Sequence, residues 1–127
     1  MAAISTRAHG ALDYVLAIAI GTSPWWAGFA GANPESWIAV GLALAVALTA
    51  LLTDHELGLR RWIQMPLHLW IDAIVGILLA ASPWVLNFDQ RVWAPHLVAG
   101  LLLLILAVAS HTIPGYERRR AARAGVD

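Results

Sequence analysis

Cysteine is absent from the 127 residues. That excludes disulfides, thiolate metal sites, iron–sulfur clusters and any dithiol mechanism, and it leaves the redox compartment unreadable. Lysine is absent too: all eight basic residues are arginine, and eight acidic residues balance them. Charge of either sign is scarce, at 13% of the chain against 60% hydrophobic, where soluble domains hold about a quarter charged and a little under half apolar. With no net charge, and no basic stripe interleaved with aromatics, the chain offers nothing to a nucleic acid. A soluble fold could not hide this much apolar surface, so the expected partner is the lipid bilayer.

The apolar residues fall in four long blocks, approximately Ala8 to Trp26, Pro34 to Thr53, Pro66 to Trp84 and Val92 to Ile113. Each has the roughly 20 residues that a hydrocarbon core of about 30 Å demands of a helix. Asn33-Pro34 reads as a cap followed by proline in the first turn, Pro66 opens the third block in the same way, and Pro114-Gly115 ends the fourth. The expectation is an all-α, single membrane domain with four transmembrane helices. The first block, with Arg7 before it and small residues after it, also has the outline of a signal peptide.

An internal repeat argues against a cleaved leader. Sliding the chain by 59 positions without a gap places His9 on His68, Asp13 on Asp72, Ser23-Pro24-Trp25 on Ser82-Pro83-Trp84, Phe29 on Phe88, Gly41 on Gly100 and Thr53 on Thr112. A leader destined for removal would not duplicate a helix of the mature chain. The chain thus divides into repeat one (about 8–53), a loop (54–65), repeat two (about 66–113) and a basic tail (114–127).

In each Ser-Pro-Trp triplet the proline lacks an amide hydrogen and clashes with the preceding turn, so it bends or ends a helix. The serine hydroxyl is placed to satisfy a backbone group that the proline frees. Trp25, Trp26, Trp84, Trp37 and Trp93 would mark one membrane interface, and Trp62 and Trp70 the other. The structural reading, helix terminator plus interfacial anchor, stands beside that of a ligand or partner surface. The paired triplets make the chain resemble the SPW-repeat family of small bacterial membrane proteins, over residues 9–112. That resemblance implies a membrane location and two tandem two-helix repeats, with the triplet in the first helix of each. It implies no reaction, substrate or cofactor.

Arg7, Arg60, Arg61, Arg118, Arg119, Arg120 and Arg123 fall on one side of a four-span arrangement and only Arg91 on the other. By the positive-inside rule the first side is cytoplasmic, with both termini and the middle loop. The loops carrying Glu35 and Asp89 then face outward. Arg118 to Arg123 are expected to continue the fourth helix beyond the membrane, as topological anchors first and a weak contact to anionic lipid second.

His-x-x-x-Asp occurs once in each half, as His9 to Asp13 and His68 to Asp72. A spacing of four puts both side chains on one helical face, and parallel repeats put both pairs at one depth. An aspartate in an apolar span is costly unless it faces the bundle interior. The four residues form a candidate cluster with four readings. Each histidine could neutralise its own aspartate; the cluster could relay protons or handle a substrate; it could hold zinc, iron or manganese; or the two histidines could ligate haem, against which the nearby aspartates weigh. No resident cofactor is implied. His55 and His111 read as solvated helix-end residues, and His96, matched to Trp37, as an ordinary interfacial side chain. Gly41, Ala43, Ala45, Ala47 and Ala50, with Gly76, Ala80 and Ala81, would let helices approach closely. So little material outside the membrane argues for an accessory or structural component without catalysis, working as a homo-oligomer or within a larger complex, and against an enzyme. A small transporter or channel using the His/Asp cluster is the main alternative, and a metal- or haem-binding membrane subunit the next.

Overall fold

A computed structural model describes residues 2–125. All regular elements among them are helices: α1 (Thr6–Trp26), α2 (Pro34–Leu51), α3 (Met65–Val85), α4 (Ala94–Ala109) and α5 (Gly115–Arg123). α1 packs chiefly on α2 and α3 on α4, with α2 against α3 and α4 against α1 closing the ring. The two repeats are therefore two helix hairpins set side by side. α2 and α3 are long and apolar enough to cross a membrane, whereas α4 is apolar but shorter. α1 is as long as α3 but is interrupted by polar residues, several of which it buries.

Local chemistry explains the boundaries. Ser5 caps α1 by accepting from the Ala8 amide at 3.1 Å, and Asn33 caps α2 by accepting from Ser36 at 2.9 Å. Pro34, Pro66 and Pro95 sit in first turns, where no amide donor is needed. Pro24 and Pro83 lie inside the last turns of α1 and α3. A proline there orphans the carbonyl four residues back, and the preceding serine replaces the missing donor. Ser23 Oγ donates to the Ile20 carbonyl at 2.6 Å and Ser82 Oγ to that of Leu79 at 2.7 Å. Both helices then end alike, with Gly28 (φ 79°) and Asn87 (φ 57°) in the left-handed region. The Phe29 and Phe88 amides return to the carbonyls of Pro24 and Pro83, at 2.8 Å each, which is the Schellman closure of a helix C-terminus.

The opposite end departs from the sequence expectation. α4 stops at Ala109, because Ser110 turns extended and pairs with Ile4. The four arginines of the tail belong to the separate helix α5. α2 also stops short, at Leu51, and Thr53 pairs with Ile63. The two bridges are counterparts: the strand-like entry to each repeat is clasped by the exit of the other.

Helix packing is closer in repeat two than in repeat one. A β-carbon on Gly100 would lie 2.5 Å from the Gly76 carbonyl oxygen, and one on Gly76 would lie 2.7 Å from the Gly100 oxygen, so the backbones of α3 and α4 touch there. Gly41, matched to Gly100 in the repeat, meets nothing within 4 Å, so it does not serve as a close-packing position. Gly100→Ala should therefore lower stability in detergent by about 1–3 kcal/mol through overpacking. Gly41→Ala should leave stability unchanged or raise it by up to about 1 kcal/mol through helix propensity. Thermal unfolding of the two variants checks this, and equal effects would contradict the asymmetry.

Candidate functional site: a buried imidazole and carboxylate quartet

His9 and Asp13 on α1 and His68 and Asp72 on α3 have no solvent-exposed side-chain surface and meet between the two repeats. The helical spacing of four stacks each pair in its own helix, and the repeat places both pairs at one level. The shortest contacts run across the repeats. His9 Nε2 lies 2.8 Å from Asp72 Oδ2 and His68 Nε2 lies 2.8 Å from Asp13 Oδ2, while each histidine is 3.1 Å from the aspartate of its own helix. Pairing of each histidine with its own aspartate alone is thus replaced by a crossed quartet. The two Nε2 atoms are 3.3 Å apart, with aspartate oxygens beside both, which leaves no room for a haem between them.

Two hydroxyls decide the tautomers. Ser110 Oγ lies 2.7 Å from His9 Nδ1 and 2.5 Å from the Leu106 carbonyl. Thr53 Oγ1 lies 2.9 Å from His68 Nδ1 and 2.5 Å from the Thr49 carbonyl. A hydroxyl has one proton, and a carbonyl can only accept, so each hydroxyl donates to its carbonyl and accepts from the histidine Nδ1–H. The Nε2 atoms consequently face the carboxylates. A bare nitrogen lone pair opposite a carboxylate oxygen is repulsive, so the quartet must also contain positive charge there. Two protons or one divalent cation balance two carboxylates equally well.

These hydroxyls had no place in the reading of the sequence. The gapless repeat match puts Thr53 opposite Thr112, which is exposed, rather than Ser110. Relative to that match, the helix ends at Leu51 and Ala109 are one residue out of register, and Thr53 and Ser110 beyond them are two. The signal available was the pair of entry isoleucines, Ile4 and Ile63, which share the 59-residue offset and bridge Ser110 and Thr53.

His55 is buried, 1% exposed, and is not a solvated helix-end residue. Its ring lies over Gly10, where a β-carbon would come within 2.7 Å of Cε1, and 6.1 Å from the His68 ring centre. Burial, with His68 adding to it, pushes the His55 imidazole below its ordinary value. Its Nδ1 accepts from the Leu57 amide at 3.1 Å.

Glu56 fastens α5 over this end. It accepts from the Thr6 hydroxyl at 2.7 Å and from the Gly115 amide at 2.8 Å, in the first turn of α5. Burial would raise its carboxyl, but these donors and its own backbone amide hold it below the usual carboxylate value. Tyr116 donates to Asp54; burial and that bond push its hydroxyl up to about 12. Arg118, Arg119, Arg120 and Arg123 remain exposed on α5.

At the triplet end, Glu35 is buried and bonded in a two-pronged pair with Arg91, at 2.7 and 3.0 Å. His96 is 1% exposed, donates from Nε2 to the Glu35 carbonyl at 2.9 Å, and packs between Phe29 and Phe88. It is an internal tie between repeats rather than an ordinary interfacial side chain. Trp25 and Trp84 are exposed, and Ser23, Pro24, Ser82 and Pro83 are buried.

Two matched helix hairpins joined through a sealed quartet define a tandem-repeat helical bundle. The chain belongs to the SPW repeat family, whose model, described as an SPW repeat domain, matches residues 7–110. No curated protein and no solved structure matches it.

His9→Ala and His68→Ala should each cost about 1–3 kcal/mol by stranding buried carboxylates. Their costs should agree within about 0.5 kcal/mol, and the double variant should lose less than the sum because the network is shared. Denaturation in detergent measures this, and a large cost confined to one half would contradict the crossed arrangement.

Glu56 gives a pH dependence. A carboxyl held below its ordinary value of 4.5 contributes stability that is complete above that value and is lost as pH falls through the lowered one. A spin label at Ala122→Cys should therefore gain mobility below the ordinary glutamate range. With Glu56→Gln added, the label should be mobile already at neutral pH.

Proposed function

We propose that this chain is a four-span protein of a bacterial inner membrane, with both termini and the 54–65 loop in the cytoplasm. It works without catalysis of its own, as an accessory or structural component in a homo-oligomer or larger membrane complex. The observation that carries the reading is inverted polarity. Histidine, aspartate, glutamate, serine and threonine are prominent among the buried residues, while Ile18, Leu44, Leu48, Ile74, Ile77, Val98, Ile105 and Val108 face outward from the helices. Water would penalise that arrangement and lipid rewards it.

Several features support the span count. α4, at about 1.5 Å per residue, measures roughly 24 Å. The segment from Ser110 to Pro114 lengthens its path toward the thickness of the bilayer. Exposed Trp25, Trp26, Trp37, Trp84 and Trp93 gather at the triplet end, and exposed Trp62 and Trp70 at the other, as interfacial belts do. The orientation is favoured by charge: at the triplet end the sole arginine, Arg91, is neutralised by Glu35, whereas Arg7, Arg60 and the four arginines of α5 crowd the other end exposed. The α5 arginines would lie at the headgroups of the cytoplasmic leaflet. Passage of protons or substrate through the bundle is the weaker reading, since the quartet is sealed on every side by described residues.

Single cysteines at Ala32, Gln90 and Ala124, all exposed positions, test the arrangement on a background with no native thiol. An impermeant maleimide applied to intact cells should label the first two and spare the third. Labelling of Ala124→Cys before lysis would overturn the orientation.

A further inference from the structure

We propose that His9, Asp13, His68 and Asp72 bind one divalent first-row transition-metal ion, of the zinc, iron or manganese kind, at the contact between the two repeats. Four ligand atoms, one from each residue, lie within 4.8 Å of one another and are fully buried. Two imidazole nitrogens with two carboxylate oxygens form the mixed donor set that such ions accept.

Two features point to an ion rather than to protons alone, and a third is compatible with it. The first is the tautomer. Ser110 and Thr53 take the Nδ1–H of His9 and His68, which turns both Nε2 lone pairs inward. A histidine that ligates through one nitrogen and donates from the other to a fixed oxygen is the usual second layer of a metal site. Here each hydroxyl is itself held by a helix carbonyl. The second is the pair of orphaned oxygens. Asp13 Oδ1 and Asp72 Oδ1 are buried with no hydrogen-bond partner. Protons on the Nε2 atoms satisfy only the Oδ2 atoms and leave these two unsatisfied, whereas an ion bound by both carboxylates in bidentate fashion engages all four oxygens and reaches six ligands. The third is charge, since one dication, as two protons would, neutralises both aspartates in a place closed to water.

Neighbouring ligand atoms about 2.0–2.2 Å from a six-coordinate ion stand roughly 2.8–3.1 Å apart. The nitrogen to oxygen distances of 2.8 and 3.1 Å already match that spacing and the Nε2 atoms, at 3.3 Å, nearly do, while the carboxylates must turn to bring both oxygens of each onto the ion. Because α1 and α3 each supply one histidine and one aspartate, the ion would hold the repeats together. The site stands on the side-chain contacts between those two helices, whichever side of a membrane it faces.

The test uses the full chain, purified in detergent, stripped with a chelator and titrated with Co2+, whose d–d absorption reports its ligands. One Co2+ per chain is expected, displaced by Zn2+. Asp13→Asn and Asp72→Asn should each weaken binding at least 100-fold while keeping the thermal transition of the metal-free parent. Ser110→Ala and Thr53→Ala should weaken it about 10- to 100-fold. Should the asparagine variants not fold, zinc-edge X-ray absorption of the wild-type chain decides the matter, with two imidazoles per ion expected. Absence of stoichiometric binding by the wild-type chain, asparagine variants that bind like the parent, or an ion without imidazole ligands would each overturn the proposal.

Discussion

Two aspartates sealed in an apolar bundle impose the constraint from which most of this architecture follows. A buried carboxylate is tolerated only with compensating charge and hydrogen bonds close at hand, and each repeat holds its aspartate against the histidine of the other. Neither hairpin can supply that environment alone, since the contacts of 2.8 Å cross between repeats. The hydroxyls that fix the imidazoles follow the same rule, Thr53 serving the histidine of repeat two and Ser110 that of repeat one. So do the bridges at the helix exits. The shortest ties of the quartet, its hydroxyls and the bridges all run from one half to the other.

The triplet end is organised differently. Serine hydroxyls repair the hydrogen-bond ladder that the prolines break, and left-handed Gly28 and Asn87 turn the chain so that Phe29 and Phe88 fold inward. Those rings enclose His96, which with the Glu35–Arg91 pair joins the halves without any matching group in repeat one. Symmetry is thus kept where two carboxylates require it and has lapsed where one histidine suffices. The glycine contacts diverge in the same way, with Gly100 pressed against α3 and Gly41 open.

How much of this could be read in the chain depended on whether the controlling interaction was local. Helix composition, the capping by Asn33 and the stacking of His9 over Asp13 are set by residues a turn apart, and spacing alone exposes them. Crossing of the pairs, burial of His55 and the return of Arg91 to Glu35 involve residues 50 or more apart, or a loop whose path no periodicity describes. Hydropathy carried the fourth helix on to Ile113, because it does not register that Ser110 leaves the helix to pair with Ile4. The tail then looked continuous with a helix that had already ended.

The repeats run in the same direction, so the near-twofold axis relating them lies along the helices and passes close to the quartet. A body with such an axis shows nearly the same flank twice, half a turn apart. A neighbour that fits the outer face of α1 meets a related face on α3 at the far side, where Ile18 and Trp25 are answered by Ile77 and Trp84, all exposed. Contacts made this way tend to extend into rows unless the two flanks differ enough to stop them. The places where the halves have drifted apart, Trp37 against His96 and Gly41 against Gly100, are then also the places where the two ends of such a row could be told from each other.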